Sequence, residues 1–285
     1  MNDSPMLIAL DLDGTLLDSP DNMSIGNVAA LEAAHNAGNV IAVVTGRPPA
    51  MVPKVVQKLS CIRYISSATG AAIWDKETGC QIAECAISTE TAVALCRYAR
   101  KNGAKALLSY GNGQVLERGC FMAMARRDPP KMRIIYPRIA LFWMRFLSKA
   151  RIAPDAAEYV ANCAVPPLKC ELVFDTKTDL NTHAAKLERF SDLAIAFSEP
   201  HSIELTSKNA TKGVAIAQLC KTLGFSREQT IGFGDSGNDI TMREAVGSLV
   251  AMGNACDELK SIADFVSSTA VEDGVAFGLR HFGLA

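Results

Sequence analysis

Met6-Leu-Ile-Ala-Leu-Asp-Leu-Asp-Gly-Thr-Leu-Leu-Asp18 decides the fold of this chain. Its first five residues are an unbroken apolar run, and polar residues and a glycine follow at once. A short continuous run with no alternation predicts a strand buried on both faces, as in a parallel sheet. Downstream, Ser24 precedes Ile25-Gly-Asn-Val-Ala-Ala-Leu-Glu-Ala-Ala-His35, an N-cap residue followed by apolar positions at helical spacing. Gly38 stops that helix, and Val40-Ile-Ala-Val-Val44 predicts a second buried strand. Strand, helix and strand joined by short links make a βαβ unit.

Further along, Pro48 and Pro49 open a predicted helix to about Leu59, and Tyr64-Ile-Ser-Ser67 reads as a strand. Ala71 to Trp74 and Cys80 to Ile82 predict a hairpin. The middle of the chain differs. A helix over 89–101 is followed by strands at Ala104–Leu108 and Gln114–Glu117 around the turn signal Tyr110-Gly-Asn-Gly113. A strand at Cys170–Phe174, a helix over 178–190 and a hairpin of Leu193–Phe197 with Ser202–Leu205 complete it. Helix–strand alternation then returns: a helix at Lys212–Leu223, a strand at Thr230–Gly234, a short helix at Ile240–Ala245, a strand at Leu249–Met252 and a helix at Asp257–Ala263. The reading is therefore an α/β protein, a Rossmann-like doubly wound parallel sheet core interrupted by an α+β insert.

Composition bounds the rest. The 285 residues suit one large α/β unit or two domains. Apolar residues make up 49%, enough for a sizeable core without staples. The net charge of −1 points to no nucleic acid and no membrane as partner. The nine cysteines are irregularly spaced and contain no Cys-x-x-Cys pair, which suits free thiols in a reducing cytoplasm. No signal peptide or membrane span is expected, so the predicted location is cytoplasmic.

Four segments carry chemistry, and each follows a predicted strand or opens a helix, where open α/β sheets bind ligands. Asp11 and Asp13, two apart, project to one side if strand geometry persists. Two close carboxylates repel unless a proton or cation lies between them, and Mg2+, a hard cation, prefers oxygen ligands. Thr45-Gly46-Arg47 offers a hydroxyl and backbone N–H groups for an anion. Lys212, at a helix start, can neutralise a phosphoryl oxygen. In Gly232-Phe-Gly-Asp-Ser-Gly-Asn-Asp239, glycines let the backbone bring Asp235 and Asp239 to one point.

These motifs, in this order, resemble the haloacid dehalogenase-like phosphatases. Ala251-Met-Gly-Asn-Ala-Cys-Asp-Glu-Leu259 and Glu272-Asp-Gly-Val-Ala-Phe-Gly-Leu279 further resemble their Cof-like subclass IIB. The resemblance implies a catalytic core over 1–82 and 207–285, with an α/β cap domain over 83–206 inserted between the second and third motifs. It implies a Mg2+-dependent phosphatase acting on a small phosphorylated metabolite through an aspartyl phosphate. Asp11 would be nucleophile and metal ligand. Asp13 would be general acid and base, with its backbone carbonyl on the metal. Thr45, Gly46, Arg47 and Lys212 would hold the phosphoryl group. Asp235 would ligate the metal, Asn238 and Asp239 would order that loop, and Asp239 would support the metal or Lys212. One departure stands out: the family often has Asn-Gly-Ala after the third strand, where this chain has Thr69-Gly-Ala71.

Two alternatives compete with a hydrolase. One is a phosphomutase or phosphotransferase on the same scaffold, needing a second phosphate site. The basic stretch Arg126, Arg127, Lys131, Arg133, Arg138, Arg145, Lys149 and Arg151 is a candidate for it. The other is a non-catalytic binding protein, against which the intact acids speak. The run Ile139–Leu147 either packs on the cap sheet or forms a homodimer contact.

Overall fold

The computed structural model describes residues 4–19, 21–125, 148–174, 178–197 and 201–285. In chain order the elements are β1 (Leu7–Leu10), α1 (Ile25–Asn36), β2 (Val40–Val44), α2 (Lys54–Lys58), β3 (Ile62–Ser67), β4 (Ala72–Asp75) and β5 (Gln81–Glu84). Next come α3 (Thr89–Lys101), β6 (Lys105–Tyr110), β7 (Gly113–Glu117), α4 (Cys120–Ala125), β8 (Ala150–Ala153), α5 (Ala156–Ala161), β9 (Lys169–Val173), α6 (Leu180–Leu187), β10 (Leu193–Ala196) and β11 (Ser202–Ser207). The chain closes with α7 (Lys212–Leu223), β12 (Thr230–Gly234), β13 (Ser248–Ala251), α8 (Asp257–Ile262), β14 (Phe265–Val266) and α9 (Gly274–His281).

Two compact units result. One comprises Met1–Arg47, Val52–Ala83 and Thr211–Ala285; the other comprises Pro48–Met51 and Glu84–Ala210. The first is built on an eight-stranded sheet of order β14-β13-β12-β1-β2-β3-β4-β5. From β14 to β3 all neighbours are parallel, and β4 returns antiparallel on β3. The order runs outward from β1 in both directions, so the topological switch lies between β1 and β12.

Every residue of β1 is buried. Ile8 and Leu10 join a cluster with Leu31 of α1 and Leu279 of α9, while Leu7 and Ala9 join one with Ile216 and Leu219 of α7. Layers on both faces explain the unbroken apolar run. Each Leu or Ile buried there contributes roughly 1.5–3 kcal/mol. The helices are set by their caps. Ser24 Oγ accepts from Asn27 N, and Thr211 Oγ1 accepts from Val214 N. Gly224 ends α7 in the left-handed conformation at φ 78°.

The second unit holds a six-stranded sheet of order β10-β11-β9-β6-β7-β8, antiparallel except for the parallel pair β7–β8. Leu95 of α3, Val160 of α5 and Leu108, Cys170, Leu172 and Ile203 of the sheet share one core cluster.

Three local readings need correction. The helix predicted from Pro48 to Leu59 is two pieces, a 3-10 turn at Pro49–Met51 and α2, because Pro53 cannot lie inside one continuous helix. The short helix at Ile240–Ala245 is a longer 3-10 helix, Gly237–Glu244, started by a capping box between Ser236 and Asp239. Strand β8 and helices α4, α5 and α9 were not anticipated.

Candidate active site

Parallel strands end together, and that brings the motif segments to one edge. Leu10 lies in register with Phe233 of β12 and Val43 of β2. Asp11, Asp235 and Thr45 therefore leave the sheet at its carboxyl end, around the switch between β1 and β12. Asp11 N donates to Phe233 O at 3.0 Å, which carries the β1–β12 ladder into the site.

Lys212 is the hub. Its side chain is 1% exposed, and Nζ donates to Asp11 Oδ1 at 2.7 Å and to Asp239 Oδ1 at 2.6 Å. The other oxygen of Asp239 accepts from Asp235 N and Ser236 N, both at 2.9 Å. One carboxylate thus fastens the ammonium to the loop after β12. Gly213 lets α7 come this close, since a Cβ there would stand 2.0 Å from Thr241 O. Gly14 plays the matching part on the first loop: at φ 80°, its missing Cβ would stand 2.4 Å from Asp235 Oδ2.

Asp11, Asp235 and Asp239 each offer an oxygen, all within 4.8 Å of one another. Burial pushes the Asp11 carboxyl well above the ordinary carboxylate range; Lys212 opposes this, and Asp239 and Asp235 add to it. Burial, reinforced by Asp239, likewise raises Asp235, to about 6. For Lys212 burial works against the charge, but Asp11 and Asp239 outweigh it and keep the ammonium charged. Were all three carboxyls ionised, one ammonium would leave two negative charges uncompensated in a mostly buried space, which is why Asp11 and Asp235 resist ionising without a cation. An all-oxygen donor set of that charge fits a hard divalent cation.

The remaining predicted residues fall around this cluster. Thr45 is fully buried, and its Oγ1 accepts from Arg47 N at 3.1 Å. Gly46, half-buried, lies between them. Asn238 is buried, and its Oδ1 accepts from Ser236 Oγ at 3.0 Å. Asp13 is turned to solvent and held by Arg47, whose Nε donates to Oδ2 at 2.7 Å and whose second terminal nitrogen, Nη2, donates to Oδ1 at 2.5 Å. Asp13 also walls a groove of about 430 Å³ with Leu17, Ser19, Asn254 and Val271. Of the basic stretch, 126–147 lies outside the described residues, as does the run Ile139–Leu147.

Sequence reasoning missed two residues. Thr15 Oγ1 donates to Asp235 Oδ1 at 3.0 Å. Asn254 donates to Gly14 O at 2.8 Å and accepts from Ala270 N at 2.9 Å. Both were within quoted motifs, and Asn254 follows β13 at the same sheet edge. That position was the available signal.

The Thr69 departure has a backbone consequence. Ala68, Thr69 and Gly70 all have positive φ, with Thr69 at φ 59°, ψ 33°. The turn is strapped to the Thr45 loop by Thr69 N to Thr45 O at 2.9 Å and Ala68 N to Arg47 O at 2.7 Å. A β-branched residue in the left-handed region costs roughly 1–3 kcal/mol, whereas asparagine tolerates it. Thr69→Asn is therefore expected to stabilise the protein by about 1 kcal/mol, read as a higher urea midpoint at unchanged slope.

Comparison with known proteins places this architecture in a class. An open α/β core with buried acids and a lysine at its switch point, carrying an α+β insertion, is that of a phosphoric monoester hydrolase with a cap domain. The profile of the haloacid dehalogenase-like hydrolases matches residues 8–279, and the chain belongs to that family. It is similar to phosphatase YwpJ of Bacillus subtilis, at 31% identity covering 96% of this chain and 99% of the relative. It is also similar to the 5-amino-6-(5-phospho-D-ribitylamino)uracil phosphatase YcsE of the same organism, at 28% identity over 98% and 96%. Among solved structures, a haloacid dehalogenase-like hydrolase from B. subtilis superposes with a TM-score of 0.84 at 30% identity, covering 97% of this chain and 99% of that one. The subclass IIB sugar phosphatase BT4131 superposes with a TM-score of 0.80 at 25% identity, covering 98% and 100%. Among the described residues, no helix is long and apolar enough to cross a membrane.

Proposed function

We propose that this phosphatase is Mg2+-dependent and hydrolyses small phosphorylated metabolites of the sugar-phosphate kind through an aspartyl phosphate on Asp11. The observation that carries the reading is the gathering of Asp11, Asp235 and Asp239 around one point, with Lys212 already engaged by two of them. The relatives support the substrate class: one is a sugar phosphatase, another acts on a phosphoribitylamino-uracil.

Asp11 and Asp235 would hold Mg2+, with the backbone carbonyl of Asp13 and with Asp239 behind them. When bound, the ion neutralises charge on the phosphoryl oxygens. Asp11 attacks phosphorus, splitting one difficult displacement into two. Lys212 Nζ and the Thr45 hydroxyl bind the non-bridging oxygens, where charge must be offset rather than bonds made. Asp13 gives a proton to the leaving oxygen and then takes one from the attacking water. Gly46, Arg47 and Asn238 complete the loops that orient the phosphoryl group. The nine free cysteines fit a cytoplasmic setting.

Phosphate release from a panel of sugar and polyol phosphates is expected to need Mg2+, to stop on chelation and to return on readdition. Full activity after chelation would defeat the metal assignment. A pH dependence follows from Asp235. Its carboxyl is raised to about 6 in the folded protein, so without metal its contribution to stability is present below the ordinary carboxylate range and is lost as pH rises through about 6. Mg2+ competes with that proton. The gain in melting temperature on adding Mg2+ is therefore expected to be larger at pH 7.5 than at pH 5, and equal gains would contradict it.

A further inference from the structure

The reaction above asks Asp13 to present an O–H to the leaving oxygen. In the structure both of its oxygens accept from the Arg47 fork, at 2.7 and 2.5 Å. A guanidinium donates only, and its fork takes an acceptor site on each Asp13 oxygen, so the carboxyl must leave the fork before it can turn elsewhere. The two partners are not equally held. The Arg47 side chain is 10% exposed and Asp13 is 53% exposed. The backbone of Arg47 is tied on both sides, its N to Thr45 Oγ1 and its O to Ala68 N. A second carboxylate also faces the guanidinium, with Asp21 Oδ1 standing 3.9 Å from Nη1. The fork thus lies between two acids, close on one and loose on the other.

We propose that Arg47 and Asp21 are positioning residues that free Asp13 by exchange of ion-pair partner: the guanidinium turns from Asp13 to Asp21, and Asp13 turns to the leaving oxygen. The proposal rests on the reading of Asp13 as the proton-transfer group. Its physical basis is the cost of leaving a mostly buried guanidinium without a carboxylate. Asp21 replaces it and lowers that cost. In the first step the Asp11–phosphorus bond forms, the phosphorus–oxygen bond to the leaving group breaks, and the Asp13 proton goes to that oxygen. In the second step water attacks phosphorus, its proton goes to Asp13, and Asp11 leaves as a carboxylate. Each turn ends with Asp13 again carrying a proton.

The test varies the leaving group. An alkyl phosphate such as glycerol phosphate needs a proton on its leaving oxygen; p-nitrophenyl phosphate releases a stable anion and does not. Asp21→Asn is expected to lower the phosphorylation rate with the alkyl ester about tenfold or more, at unchanged KM, and to spare the p-nitrophenol burst. In an Arg47→Lys background, where no fork holds Asp13, adding Asp21→Asn is expected to change nothing further. Equal losses on both substrates, no loss on either, or additive effects of the two substitutions would each overturn the exchange. Asp13→Asn, run in parallel, separates the two levels. If it shows no leaving-group dependence, the role of Asp13 itself falls. If it shows that dependence and Asp21→Asn does not, only the exchange falls. Melting curves of all variants check that they fold.

Discussion

Asp11→Asn removes phosphate release from every substrate, by about 10,000-fold or more, yet leaves the protein at least as stable as before when Mg2+ is absent. The loss of rate follows because an amide is no nucleophile toward phosphorus, and the remaining groups bind, orient or move a proton but cannot replace it. The stability follows from the site's charge. Burial and the neighbouring acids Asp239 and Asp235 disfavour the Asp11 carboxylate. A neutral isostere relieves that repulsion, while Asp239 still holds Lys212 at 2.6 Å. Parallel measurements of phosphate release and of melting in chelator check both halves. Residual activity above about 1% of the parent would refute Asp11 as the nucleophile, and a clear loss of metal-free stability would refute the charge argument.

Lys212→Met is expected to act in the opposite sense on stability. Met matches the length of lysine but cannot donate, so Asp11 and Asp239 would be buried with no cation between them. Removing one partner from a buried pair costs roughly 3–5 kcal/mol. That is a large share of the 5–15 kcal/mol that holds a typical domain. The expected result is a large drop in urea midpoint, partly recovered by Mg2+, which replaces some of the lost charge. Catalysis suffers as well, by about 100- to 1,000-fold for the loss of one donor to the developing charge. A midpoint within experimental error of the parent would mean that this lysine does not hold the loop after β12.

The two experiments bear on parts of the molecule that were unequally visible in the sequence. The strands of the first unit were legible because burial on both faces leaves no alternation to misread; Leu7–Leu10 and Val40–Val44 are examples. The candidate site at their ends was legible for a related reason, since acids and glycines directly after such runs, and a lysine opening a later helix, could be expected to meet at one sheet edge. Partners were not legible. Nothing local to Asp13 announces that Arg47, thirty-four positions on, will grip both its oxygens. Thr15 on Asp235 and Asn254 on Gly14 are likewise products of packing over more than two hundred residues of separation. Strand β8 and helices α4, α5 and α9 escaped notice because they are short, four, six, six and eight residues, and lean on tertiary neighbours for definition. The α5 cap, Asp155, was a usable signal: it accepts from Ala157 N and Glu158 N.

The central position of β1, between β2 and β12, has a consequence for how the protein comes into being. On the ribosome β1 is made well before β12, the neighbour on its other flank, which is encoded some 220 positions later. Most of the second unit, Glu84–Ala210, is contiguous and can collapse as soon as it is made. The nascent first unit must meanwhile wait with one edge of its apolar strand uncovered, a state that invites aggregation and chaperone capture. Asp11 is therefore made long before the residues it gathers with, and a chain released before Thr230 would lack Asp235 and Asp239, two of the three clustered acids.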